Sequence, residues 1–259
     1  MLEKLYAGAY QDSLERENLV PISKLESAIA RLSAPQDPWS FLFSDTNINV
    51  IAEIKRASPS RGHLADIVDS AALGLTYERA GAGAISVLTE QRGFRGSLQD
   101  LDEVRKVVQV PVLRKDFIST EYQVLESRAH GADLVLLIVA GLQPKRFHEL
   151  KKLIEDLGMS ALVETHNTQE LLFASEIDAK YIGINARDLS TFETDRELFS
   201  DLVHLAPSGS LKIAESAVRT TKDVEDYARA GADAVLVGEA LVTGDSNSLL
   251  REFSSVRKP

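Results

Sequence analysis

From residue 48 onward, short apolar runs alternate with longer amphipathic stretches. The runs are rich in Val, Ile and Leu and predict buried strands, and the stretches between them predict helices. Strands are predicted near 48–54, 84–88, 111–114, 133–138, 160–164, 180–184, 210–214 and 233–237. Helices are predicted near 66–80, 97–108, 120–130, 143–157, 168–176, 195–205, 221–230 and 246–255. Eight alternating units predict parallel strands, buried on both faces, that close into a (β/α)8 TIM barrel.

A weak internal repeat supports this architecture. Gly81, Gly131 and Gly231 each follow a helical stretch, in the segments 79–83, 128–133 and 229–233, and precede a strand. A glycine there suits a left-handed helix C-cap, whereas a dinucleotide-binding loop would follow a strand. An open doubly wound sheet is the alternative, but no Gly-x-Gly-x-x-Gly follows the first strand.

Composition limits the classes of protein. The chain has 259 residues, of which 44% are hydrophobic, and this suits one barrel domain over 1–259. Residues 1–45 form a predicted N-terminal helical extension, with helices near 2–18 and 21–32. The net charge of −10 argues against nucleic-acid or anionic-membrane partners.

Cofactor and compartment signals are few. The chain has no cysteine, which excludes disulfides, thiolate metal sites and a cysteine nucleophile. The five histidines lack metal-ligand spacing, so no metal is predicted, and His166 is interpreted as a turn residue. The N-terminus lacks the apolar run of a signal peptide, and the longest apolar run, 134–142, is too short to span a bilayer. We expect a cytoplasmic protein.

Acids and bases follow seven of the eight predicted strands. Because the active site of such a barrel lies at the C-terminal ends of its strands, these side chains should meet. They are Glu53, Lys55, Glu90, Lys115, Glu164, Asn185, Arg187, Glu215, Ser216 and Glu239. Any one of them could form a salt bridge at the rim, which is the interpretation preferred for Glu90. For Glu53 and Lys55, an ion pair on an exposed edge strand is the alternative. The ring as a whole indicates an enzyme.

Two loops indicate a phosphate site. Gly238 follows the eighth strand and Glu215-Ser216-Ala217 follows the seventh, where barrel enzymes commonly bind phosphate. A plain turn at Gly238 is the alternative. Positive charge at the same end suits an anionic small molecule, and it comes from Lys55, Arg56, Arg114, Lys115 and Arg187.

These residues resemble the signature of the indole-3-glycerol-phosphate synthase family of tryptophan biosynthesis. The segment Ile51-Ala52-Glu53-Ile54-Lys55-Arg56-Ala57-Ser58-Pro59-Ser60 is similar to the family's first block. Later blocks follow in order at 94–98, 112–117, 162–164, 183–189, 213–216 and 236–241. The resemblance covers about residues 45–245.

The resemblance implies a reaction without a cofactor. The substrate would be 1-(2-carboxyphenylamino)-1-deoxyribulose 5-phosphate, which closes a ring and loses carbon dioxide and water. Lys115 would be the general acid and Glu164 a second acid/base group, assisted by Glu53, Lys55 and Asn185. Glu215 would shape the site, Ser216 would hold phosphate with the backbone of Gly238 and Glu239, and Arg187 would contact the carboxylate. The aromatic pocket would be lined by Ser58, Pro59, Phe94, Phe117, Leu136 and Leu189.

Two positions need separate expectations. Some family members carry serine at position 239, and because the Glu239 carboxylate would repel phosphate, its side chain should point away.

Lys115 could form a Schiff base with the ketone instead of donating a proton to it. Carboxylates across the mouth favour the charged form of its amine and so favour the role of general acid. Arg114 should face the other side of the strand.

Two other functions remain open on the sequence. One is an aminoaldose–aminoketose isomerase on a similar barrel, although the chain lacks the cysteine such families use. The other is a catalytically silent barrel that binds a phosphorylated ligand or a protein. The protein is expected to be a monomer, and association with other enzymes of the pathway is possible.

Overall fold

The computed structural model describes residues 1–188 and 193–259, and eight parallel strands in it close into a barrel. The strands of the barrel are β1 (Asn49–Ile54), β4 (Ala84–Leu88), β5 (Val112–Lys115), β6 (Leu134–Ile138), β7 (Ser160–Thr165), β8 (Tyr181–Asn185), β9 (Leu211–Glu215) and β10 (Ala234–Val237). Each pairs with its neighbour in sequence, and β1 closes the barrel against β10. The predicted (β/α)8 fold is confirmed, and each predicted strand end lies within one residue of an observed one.

Helices pack around the barrel and across its ends. They are α1 (Leu2–Leu19), α2 (Ile22–Ile29), α3 (Trp39–Leu42), α4 (Ser70–Arg79), α5 (Leu98–Val107), α6 (Glu121–Ala129), α7 (Pro144–Asp156), α8 (Thr168–Glu176), α9 (Leu198–Leu202), α10 (Thr221–Ala230), α11 (Glu239–Thr243) and α12 (Ser246–Ser254). Sequence periodicity missed the short helix α3. It also missed the hairpin of β2 (Ala57–Ser58) and β3 (Gly62–His63), which lies where only a turn was predicted.

The repeat in the sequence corresponds to a repeated local structure. Gly81, Gly131 and Gly231 all have φ between 79° and 105°, the left-handed region that favours glycine. The aspartates two residues after the second and third glycines act alike. Asp133 accepts a hydrogen bond from Val112 N at 2.9 Å, and Asp233 accepts one from Lys212 N at 2.9 Å. Each aspartate thus fixes the start of the preceding strand.

Alternation along the strands divides the core into two layers. Residues such as Val50, Val135 and Val163 face the helices, whereas Ile51 and Leu162 fill the barrel interior. Inward positions are apolar near the strand starts and become charged at the C-terminal ends. The alternation that places leucines inside the barrel therefore also aims the strand-end acids and bases at one mouth.

Candidate active site

A cavity of about 260 Å³ opens at the C-terminal ends of the strands. Fifteen of the sixteen residues predicted for the site line it, and the sixteenth, Leu189, lies outside the described residues. Those fifteen are Glu53, Lys55, Ser58, Pro59, Phe94, Lys115, Phe117, Leu136, Glu164, Asn185, Arg187, Glu215, Ser216, Gly238 and Glu239. The structure thus brings these residues together, while their roles stay predictions.

Lys115 lies at the centre of a buried cluster of charges. Its Nζ contacts Glu215 Oε2 directly and lies 3.3 Å from Glu164 Oε2. Burial lowers the pKa of Lys115. The carboxylates of Glu215, Glu164 and Glu53 raise it by more than burial lowers it, so the pKa lies well above the ordinary lysine value. The amine is therefore charged at neutral pH and can donate a proton.

Glu53 and Lys55 form an ion pair inside the mouth. Glu53 Oε1 lies 2.6 Å from Lys55 Nζ, and Glu53 is only 4% exposed. Burial raises the pKa of Glu53, yet the ammonium groups of Lys55 and Lys115 lower it below its usual value. The sequence allowed an ion pair of Glu53 and Lys55 on an exposed edge strand. The ion pair is observed, but the edge position is wrong, because β1 pairs with a neighbour on each side in the closed barrel.

Asn185 links two sides of the site. Its Nδ2 donates to Glu164 Oε1 at 3.2 Å, and its Oδ1 accepts from Ser216 Oγ at 2.8 Å and from Arg187 N at 3.1 Å. These three contacts fix the orientation of the amide. Because the Ser216 hydroxyl donates to Asn185, its hydrogen is not available to an anion in this arrangement.

The loops after β9 and β10 form the other end of the cavity. Ser216 and Ala217 have φ of 69° and 61°, an unusual conformation for two consecutive residues with side chains, and one that often occurs at functional sites. Gly238 caps α11, and Arg219 also lines this end. Glu239 Oε1 lies 3.0 Å from Arg61 Nη2, so the expected repulsive carboxylate is paired with a guanidinium on the β2–β3 turn.

An apolar wall faces the charged cluster. The rings of Phe94 and Phe117 lie 6.1 Å apart, and the Tyr6 ring packs edge-on to Phe117 at 5.4 Å. The predicted rim salt bridge of Glu90 is wrong. Its carboxylate instead accepts hydrogen bonds of 2.7–2.9 Å from the backbone N–H groups of Arg92, Gly93 and Phe94. These bonds hold the loop that carries Phe94.

Two of the cations assigned to the mouth do not lie there. Arg56 forms two hydrogen bonds of 2.7 Å with the Asp100 carboxylate, and Arg114 is fully buried outside the barrel wall, 3.0 Å from both Asp116 and Glu126. Arg114 follows the alternation of β5, and Arg56 lies in the bend after β1; neither side chain lines the cavity. The expectation that they contribute charge to the mouth is wrong, while the predicted outward orientation of Arg114 is confirmed.

Sequence reasoning also missed residues at the site. Leu5 of α1 lines the cavity, although helical periodicity gives no signal for where that helix docks. The ring of His166 contacts Glu164, with Nε2 3.2 Å from Oε1. Its position two residues after Glu164, directly after the predicted strand, was an available signal.

The described ranges 1–188 and 193–259 contain no group of three or more potential His, Asp or Glu ligands arranged to hold a metal. Within the same ranges, no helix is long and apolar enough to cross a membrane.

A closed (β/α)8 barrel with an ammonium group, several carboxylates and an amide converging on its C-terminal mouth defines a barrel enzyme of acid–base chemistry. The family model described as indole-3-glycerol phosphate synthase matches residues 2–253. The chain belongs to this family.

Individual relatives agree with the family match. The indole-3-glycerol phosphate synthase of Leifsonia xyli subsp. xyli is 54% identical over 256 residues, which cover 99% of this chain and 98% of that protein. The protein of the same name from Parafrankia sp. is 54% identical over 94% of this chain and 90% of its own length.

Solved structures with lower identity share the fold. N-acetylmannosamine-6-phosphate 2-epimerase from Clostridium perfringens has a TM-score of 0.63 at 16% identity, covering 82% of this chain and 93% of that one. 3-Hexulose-6-phosphate synthase from Salmonella typhimurium has a TM-score of 0.63 at 15% identity, and the match covers 80% of this chain and 97% of that one.

Proposed function

We propose that the protein is an indole-3-glycerol phosphate synthase that converts 1-(2-carboxyphenylamino)-1-deoxyribulose 5-phosphate into indole-3-glycerol phosphate, carbon dioxide and water. Family membership supports the reaction. The observation that carries the mechanism is the charged Lys115 held between Glu164 and Glu215 in the pocket.

Ring closure places negative charge on the ketone oxygen as the aromatic carbon attacks the ketone. Lys115 donates a proton there, and its carboxylate neighbours keep it charged between turnovers. Glu215 holds the ammonium group in place by direct contact. Lys55, paired with Glu53, is a second cation at the mouth and assists the reaction.

Loss of water after decarboxylation requires a proton acceptor as well as a donor. Glu164 is the acceptor, because it is buried, accepts a hydrogen bond from Asn185 Nδ2 at 3.2 Å and lies 3.3 Å from the ammonium group of Lys115. Burial raises the pKa of Glu164, but Lys115 and His166 lower it well below the usual range. The carboxylate is then ionised and able to accept a proton.

Substrate orientation follows from the two unlike ends of the cavity. The aromatic ring packs against Phe94, Phe117 and Leu136, and the phosphate lies at the loops after β9 and β10. At those loops the available donors are backbone N–H groups. Arg187, whose Nη1 donates to Ser60 Oγ at 3.2 Å, faces the substrate carboxylate.

The direct test is a spectroscopic assay with the purified protein. Adding the carboxyphenylamino-deoxyribulose phosphate should produce the absorbance and fluorescence of an indole. Binding of the compound without product would favour the silent barrel, and an isomerised product that keeps its carboxylate would favour the isomerase. Either result would overturn the proposal.

Gly238→Asp should raise KM strongly, because a carboxylate would enter the space proposed for the phosphate dianion. A Cβ at this position would lie 2.5 Å from Glu53 Oε1 and 2.9 Å from Lys55 Nζ, so steric disturbance of that ion pair is expected too. Gly238→Ala is the matched control, since it adds the Cβ without the charge. KM for Asp should exceed KM for Ala by about tenfold or more.

Phosphate competition gives a second measurement of the same site. Inorganic phosphate or sulfate should inhibit the wild-type enzyme competitively and the Gly238→Asp variant less. Equal KM values for the Asp and Ala variants, with no competition by phosphate, would place the anion site elsewhere.

The extension formed by residues 1–45 is proposed to belong to the same domain as the barrel. Arg16 of α1 binds the Glu126 carboxylate on α6 through bonds of 2.6 and 2.9 Å, and Leu5 contributes to the cavity. A monomeric state and a cytoplasmic location stay predictions.

A further inference from the structure

His166 lies immediately after β7, behind the wall of the cavity. Its Nδ1 forms a hydrogen bond of 3.1 Å with Oε2 of Glu170 in the first turn of α8, and its Nε2 lies 3.2 Å from Glu164 Oε1, at ion-pair distance but without hydrogen-bond geometry. The side chain is only 10% exposed. The imidazole is thus enclosed between two carboxylates, one of which faces the substrate pocket.

This geometry favours the doubly protonated ring. A neutral imidazole has one N–H and one lone pair, so one of its nitrogens would place a lone pair within 3.2 Å of a carboxylate oxygen. Burial lowers the pKa of His166, but the contacts with Glu164 and Glu170 raise it to about 10. Glu170 is itself fixed, because its Oε2 accepts from His166 N at 2.9 Å and its Oε1 accepts from Asn167 Nδ2 at 2.6 Å.

The His166 ring lies next to only one of the two carboxyl groups that contact Lys115, namely Glu164 and not Glu215. Glu164 Oε1 lies close to both His166 and Asn185, whereas Glu215 Oε1 is buried and has no hydrogen-bond partner among the described residues. Burial, together with the negative charge of Glu164, raises the pKa of Glu215. Of the two groups, Glu215 is therefore the one that protonates first, and Glu164 is the one that stays a base.

We propose that His166 is a positioning residue whose imidazolium ring, 3.2 Å from Glu164, holds that carboxylate ionised as the proton acceptor of the reaction. The inference rests on the proposed function of Glu164. The charged groups that face the ring are Glu164 of β7 and Glu170 of α8. Around Glu164 itself they are Lys115 of β5, Glu215 of β9 and Glu53 of β1, with Tyr6 of α1 nearby.

The first test measures the charge of the ring in the unmodified protein. In a sample labelled with ¹⁵N-histidine, the His166 signals are identified as those missing from the His166→Gln spectrum. They should be those of a doubly protonated ring and should not titrate between pH 6 and 8.5. A neutral ring, or titration near the ordinary histidine value of about 6.5, would overturn the inference. This result does not depend on which reaction the protein catalyses.

The second test measures the consequence for Glu164. Removing a cation next to a carboxylate raises the pH at which that carboxylate ionises, so His166→Gln should shift the acidic limb of the kcat/KM profile upward by about one pH unit or more. His166→Lys keeps a positive charge and should restore part of the shift. His130→Gln is the matched control, because it removes another histidine–carboxylate pair, to Asp102 at 2.8 Å, near the strand starts.

A purely structural role for His166 predicts a different result. Thermal stability or kcat would fall in His166→Gln, but the acidic limb would remain where it is in the wild type, and that outcome would overturn the inference. If the wild-type protein fails to produce an indole, the proposed function is wrong, while the ¹⁵N titration still tests the charge of the ring.

Discussion

Lys115→Met should lower kcat by about 10²–10⁴-fold, equivalent to about 3–5 kcal/mol of transition-state stabilisation, with a much smaller change in KM. Methionine has a similar length and an apolar stem but no proton to donate. Steady-state kinetics of indole formation measures the effect. The size follows from the position of the ammonium group, which is in contact with Glu215 and 3.3 Å from Glu164 at the base of the pocket.

The control is Lys152→Met, which removes an exposed lysine paired with Asp156 on α7 and should leave kcat unchanged. Borohydride added during turnover separates the general acid from a Schiff base. A charged amine is a poor nucleophile, so mass spectrometry should find no substrate attached to the protein. Covalent trapping at Lys115, or a kcat within a few-fold of the wild type, would contradict the acid role.

The strand ends of this barrel could be predicted because two periodic rules coincide. Alternation sends every second side chain inward, and parallel strands bring their C-terminal ends to one mouth. Glu53, Lys115, Glu164 and Glu215 obey both rules, so their convergence follows from the sequence. The same alternation would have excluded Arg114 from the mouth, whereas Arg56 lies in the bend after β1, where no strand period applies.

Contacts between distant segments could not be predicted in this way. Leu5 and Tyr6 reach the site because α1 packs across the barrel end, a placement set by tertiary contacts such as Arg16 with Glu126. The backbone bonds to Glu90 depend on how a loop folds back, and loop geometry has no simple period. Gly183 could be predicted only in part. The sequence shows a glycine inside a strand, which is unusual, but it does not show the reason. In the structure, Glu215 lies against β8 at this point, and a Cβ on residue 183 would overlap Glu215 Oε1.

Arg114→Met should reduce the free energy of unfolding by about 3–5 kcal/mol, the usual effect of leaving buried carboxylates without their partner. Arg114 is fully buried and lies 3.0 Å from both Asp116 Oδ2 and Glu126 Oε2. It also donates to Thr89 Oγ1 at 3.1 Å and to the carbonyl of Gln123 at 3.0 Å. Methionine fills much of the same volume but satisfies none of these acceptors.

Urea denaturation measures the loss, with Arg229→Met as the control. Arg229 pairs with Asp226 at 2.7 Å on the exposed face of α10, where an ion pair contributes at most about 1 kcal/mol. Adding Asp116→Asn to Arg114→Met should recover part of the stability, because it neutralises one stranded carboxylate. A loss no larger than that of the surface control would mean that the buried network contributes little net stability. A loss of the expected size would show that this buried network, which includes Asp116 next to Lys115, contributes substantially to the stability of the barrel.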